Sequence, residues 1–87
     1  MKPSASQLFA LRRVQSTTVG PTEVNSGGRG VAASTYRSLI RHGLVEWDYR
    51  MLQPSPTGVE MLKTYTLVRA WNAKRGWHKR VEVKREA

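Results

Sequence analysis

The chain contains no cysteine. That single absence excludes disulfide frameworks, thiolate zinc sites, dithiol redox motifs and thiol nucleophiles, and it fits a reducing cytoplasm. Acidic residues are few, with 6 Asp+Glu against 15 Lys+Arg, and Asp48 is the single aspartate. The two histidines, His42 and His78, stand far apart, and no His-Glu-x-x-His or Gly-x-Ser-x-Gly occurs. A Ser/His/Asp triad assembled in space stays compatible with the composition, but nothing supports catalysis. No catalytic residue, metal ligand or cofactor is therefore expected, and the chain reads as a non-enzyme. No apolar run approaches membrane-spanning length, and Met1-Lys2-Pro3-Ser4 lacks the apolar core of a secretory leader, so no membrane partner is expected.

What is there is positive charge. A formal net charge of +9 on 87 residues is the one global anomaly, and it points to a polyanionic partner. The length gives room for one modest core, and 39% apolar with 24% charged residues suits a compact fold rather than disorder. Charge runs are also ordinary solvated surface, so their placement along the chain has to decide.

Ser4-Ala5-Ser6-Gln7 has capping-box spacing and predicts a first helix whose Leu8, Leu11 and Val14 form one ridge. Pro21 predicts a short second helix to about Asn25, with Val24 its anchor. Three glycines within Gly27-Gly28-Arg29-Gly30 demand a turn. A third helix is expected over about 31–42, burying Tyr36, Leu39 and Ile40, with Gly43 at its left-handed end. Leu44–Trp47 and Arg50–Gln53 read as two short strands, and Pro54 stops the second. Ser55-Pro56 starts a fourth helix, expected to run to Ala73 and to be followed by a basic tail, 74–87. The expected core is Leu8, Leu11, Val14, Tyr36, Leu39, Ile40, Leu44, Leu62 and Tyr65. Gly28-Arg29-Gly30-Val31-Ala32-Ala33 matches a dinucleotide fingerprint in letters, but Asn25-Ser26-Gly27 is no preceding strand.

Two stretches carry a resemblance. Ser34-Thr35-Tyr36-Arg37-Ser38-Leu39-Ile40-Arg41-His42-Gly43-Leu44-Val45-Glu46 resembles the recognition helix and first wing strand of winged helix-turn-helix proteins. Ser55-Pro56-Thr57-Gly58-Val59-Glu60-Met61-Leu62 is similar to that family's Thr-Pro-x-Gly-x-x-x-Leu helix start. The second helix is shorter than the family's habit, and Pro54 stands where an apolar strand residue is usual. The resemblance implies a mainly α fold with a small β-hairpin: three core helices, a short wing and a C-terminal helix, forming a domain over 1–73 with a basic tail.

It also implies double-stranded DNA binding, with the third helix in the major groove. Ser34, Thr35, Arg37, Ser38 and Arg41 would face bases and phosphates, with Arg29 and Arg50 flanking on the backbone. Lys74, Arg75, Lys79 and Arg80 of the tail would add phosphate contacts. A fourth helix over 56–73 would be apolar around more than half its wheel, which suggests a homodimer or, equally, packing against the first helix and tail. The reading is a small, nucleoid-associated transcriptional regulator, of a size that would suit a phage. Two rivals stand beside it: a winged helix that binds a protein such as a polymerase or nuclease, and an RNA or single-strand binder stacking Trp71 or Trp77 on bases.

Overall fold

The computed structural model describes residues 2–84. The elements run α1 (Ala5–Ser16), α2 (Pro21–Ser26), α3 (Ala33–Arg41), β1 (Val45–Asp48), β2 (Met51–Pro54), α4 (Pro56–Thr64), β3 (Tyr65–Asn72) and β4 (Gly76–Val83). With about 43% helix and 31% strand, the fold is α+β and not mainly α as the sequence suggested. The strands form two separate antiparallel pairs, β1 with β2 and β3 with β4.

Local chemistry sets the first half. Ser4 Oγ accepts from the Gln7 amide at 3.1 Å and Gln7 Oε1 from the Ser4 amide at 2.9 Å, closing the capping box of α1. Leu8, Leu11 and Val14 are buried on the ridge their spacing predicts, joined by Val19 from the following loop and Val24 of α2. Tyr36 and Leu39 of α3 are fully buried, whereas Ile40, expected beside them, is 37% exposed. Only the stripe centred on Tyr36 and Leu39 meets α1 and α2, and Ile40 falls at its edge. Past His42, Gly43 takes φ +69°, its amide bonds Ile40 O at 3.1 Å, and the Leu44 amide bonds Leu39 O at 2.9 Å. These paired bonds form a Schellman stop, with Leu44 and Leu39 making its apolar contact.

The β1–β2 hairpin turns at Tyr49-Arg50, one residue later than expected, and Pro54 ends β2 as its last member. Ser55 then caps α4 from a nearly buried position. Its hydroxyl donates to Gly43 O at 2.5 Å and accepts from the Gly58 amide at 3.1 Å. Ser55→Ala leaves both groups without that partner. We expect a loss of about 1–2 kcal/mol, visible as a lowered midpoint in thermal denaturation; an unmoved midpoint would show the cap to be dispensable.

The largest departure comes next. Helix α4 ends at Thr64, and the expected helix over 56–73 does not exist. Tyr65-Thr66-Leu67-Val68 favours an extended chain, because aromatic and β-branched side chains pack well on a pleated surface. Two segments of different period mimic one wide apolar arc when placed on a single helix, so the dimer surface expected on that helix loses its basis. The expected tail is also a strand for most of its length: β4 pairs with β3 from Tyr65↔Val83 to Asn72↔Gly76. The loop between them has the Arg75 amide bonded to Asn72 O at 3.2 Å, then Gly76 at φ +71°, a three-residue hairpin turn with a left-handed glycine. Val81 is buried in the core, Leu67 and Tyr65 pack against it half-buried, and Lys84 N bonds Thr64 O at 2.8 Å at the hairpin base. Arg85, counted in the basic tail, lies outside the described residues.

Candidate nucleic-acid interface

Helix α3 places Ser34, Arg37 and Arg41 on one exposed face, since residues three and four apart are neighbours on a helix. Neither Arg37 nor Arg41 forms an ion pair among the described residues. Thr35 is half-buried at the flank. Ser38 is half-buried too, and its Oγ accepts from Gln7 Nε2 at 2.8 Å, so it ties α3 to α1.

A charged cluster holds α3 from behind. Arg13 donates to both oxygens of Glu23, at 2.7 Å from Nε and 2.8 Å from Nη2, and the Tyr36 hydroxyl donates to the same carboxylate. Bidentate geometry makes this stronger than an ordinary surface pair. The Arg13 bonds hold the Glu23 carboxyl down to about 2, and burial with the bond to Glu23 pushes the Tyr36 hydroxyl up to about 12. One helix from each part of the N-terminal half, α1, α2 and α3, is thereby joined at a single carboxylate.

The other predicted residues do not gather around α3. Arg29 sits at φ +56° in the two-residue turn closed by the Gly28–Val31 bridge, which follows α2 and precedes α3. The glycine stretch that matched a dinucleotide fingerprint thus has a helix before it and no strand. Arg29 and Lys79 share a cavity of about 450 Å³ with Phe9, Arg12 and Arg13, in which Arg13 is the cation already paired. Arg50 lies at the β1–β2 turn beside Tyr49, which is 96% exposed. Lys74 and Arg75 occupy the tip of the β3–β4 hairpin, where their amides bond Asn72 Oδ1. Arg80 is on the hairpin's other face, paired to Glu82 at 2.6 Å. The structure therefore distributes the predicted cations over the α3 face, the cavity, two hairpin turns and the other face of β4.

Sequence reasoning missed Phe9, Arg12 and Arg69 as members of the charged surface. Arg12 falls off the apolar ridge of α1, which is a signal for exposure but gives no hint of Lys79 or Arg29 nearby. Among the described residues no helix is long and apolar enough to cross a membrane. Comparison with family models, curated proteins and solved structures finds no match to this chain.

Proposed function

We propose that the chain binds double-stranded DNA through the exposed face of α3 and acts there as a small transcriptional regulator. The observation that carries this is a short helix presenting Ser34, Arg37 and Arg41 outward, with both guanidinium groups unpaired among the described residues. Guanidinium groups read guanine edges bidentately, and a small hydroxyl residue allows close approach to the groove. The Arg13–Glu23–Tyr36 cluster and the Gln7–Ser38 bond fix the helix from its inner side, so the face is presented without first being ordered. The net charge of +9 supplies the long-range attraction, and the resemblance of residues 33–62 to winged-helix proteins supports the same placement.

Binding should be strongly salt-dependent. With about five to eight phosphate contacts, log K against log salt should fall with a slope of about −4 to −7. Arg37→Ala and Arg41→Ala should each cost about 1–3 kcal/mol on a selected duplex and less on random DNA. Arg50→Ala, at the β1–β2 turn, should weaken all duplexes alike. Anisotropy titrations at several salt concentrations, on a duplex obtained by in vitro selection, measure all of this. Sequence-blind losses at Arg37 and Arg41 would reduce α3 to a phosphate contact. A flat salt response would direct attention to a protein partner instead.

A further inference from the structure

The β3–β4 hairpin packs on the core near its base and is exposed towards its tip. Alternate residues of a ribbon share a face, and the register places Leu67 opposite Val81, Arg69 opposite Lys79 and Trp71 opposite Trp77 on one of them. The near part of that face is closed, with Val81 buried and Leu67 packed against the core. At Lys79 it still overlies α1, the ammonium standing 5.5 Å from the centroid of the Phe9 ring. One step on, about 7 Å along the strand, Trp71 and Trp77 are 64% and 63% exposed. Their rings meet edge to face at 5.7 Å, and the Arg69 guanidinium lies 4.9 Å from the Trp77 centroid.

A cross-strand tryptophan pair steadies a ribbon, which accounts for the contact between the rings. It does not account for the company they keep. From Arg69 to Arg80 the chain carries five Lys and Arg residues and no Asp or Glu. Lys79 also belongs to the cavity lined by Arg12 and Arg29, so cations continue from the tryptophans towards α1. An apolar protein partner would have to desolvate these charges without compensation. A second copy would bring two such cationic arms together, which like-charge repulsion opposes. Aromatic faces set among cations suit one occupant best: bases stack on the rings while phosphates meet the charges.

We propose that this hairpin face, separately from α3, binds an unpaired strand of nucleic acid, with bases stacked on Trp71 and Trp77 and phosphates held by Arg69 and Lys79. Stacking is tolerant of base identity, so the arm would hold a strand without selecting its sequence. Since the α3 reading concerns paired DNA, either surface can fail without the other.

The test uses the full chain with labelled oligo(dT), oligo(U) and a duplex of the same length, followed by anisotropy and tryptophan emission in a Trp47→Phe background. Both single strands should bind and quench emission if the backbone chemistry is shared; preference for one assigns the arm to DNA or RNA. Trp71→Leu and Trp77→Leu should each weaken single-strand binding about tenfold or more, and Trp→Phe at both positions should restore most of it. Duplex affinity should change less than threefold in these variants, while Arg37→Ala should spare single-strand binding. Thermal melts of each variant establish that the fold persists. Unchanged single-strand affinity in the melting-competent leucine variants overturns the proposal. So do equal losses on duplex, which would make the arm a duplex contact, and self-association abolished by the leucine variants, which would give the face to a second copy.

Discussion

Gly58→Ala is expected to destabilise the protein by about 3 kcal/mol or more, enough to remove most of the stability usual for so small a domain. Helix propensity alone argues the reverse, because alanine is better than glycine inside a helix by about 1 kcal/mol. Packing decides against it. A Cβ at position 58 would lie 2.0 Å from the carbonyl oxygen of Leu44, 3.0 Å from its carbon and 3.2 Å from Leu11 Cδ1. Leu44 has nowhere to go: its amide is bonded to Leu39 O, its carbonyl accepts from the Ser55 amide at 3.0 Å, and its side chain is buried. Urea denaturation of the variant beside Glu60→Ala, an exposed change in the same helix expected to stay within about 0.5 kcal/mol, separates sterics from propensity. A gain in stability at position 58 would mean that α4 does not approach Leu44 so closely.

Glu23→Gln should cost about 2–4 kcal/mol and alter the pH response of stability. The amide keeps the shape but leaves Arg13 without its counter-charge beside the buried Tyr36. In the wild type the Glu23 carboxyl is lowered from 4.5 to about 2, so the fold favours its ionised form. That stabilisation is complete above pH 4.5 and drains as pH falls from there towards 2. Tyr36 is shifted the other way, from 10 to about 12, and the fold favours its protonated form. Its contribution is complete below pH 10 and is lost as pH rises towards 12. Stability should therefore be level between these limits, with the acid limb flattened in the variant. Denaturation midpoints across pH give both limbs; an acid limb unchanged by Glu23→Gln would place the sensitive carboxyl elsewhere.

How far the chain could be read in advance depended on the range of the interactions. Ser4 with Gln7, Pro21, Gly43 and Ser55-Pro56 act over three or four residues, and each does what its spacing implies. Gly58 was visible as part of a motif, but its reason, the carbonyl of Leu44, came only with the fold. The segment 65–72 failed because a run such as Tyr65-Thr66-Leu67-Val68 fits a buried helix and a strand alike over so short a window. Asn72 and Gly76 bracketing Ala73-Lys74-Arg75 between two alternating stretches carry the hairpin signal, which the basic residues of the same segment mask. For the candidate site, exposure of Arg37 and Arg41 followed from periodicity. The meeting of Arg29, Arg12 and Lys79 needs α1 and β4 to be adjacent, and no local pattern encodes that.

The adjacency of α1 and β4 also fixes when folding can finish. Helix α1 packs against α3, α4, β2, β3 and β4, so it draws partners from elements close to it in the chain and from strands far along it. Val81 belongs to the same core as Leu8 and Leu11, so that core is complete only when residue 81 has joined it. A chain that stops short of β4 leaves α1 without one of the strands it packs against. Contacts of such long sequence separation slow the search for the native state. The protein should therefore acquire its protection from proteolysis in one late step, after β4 has left the ribosome, rather than helix by helix.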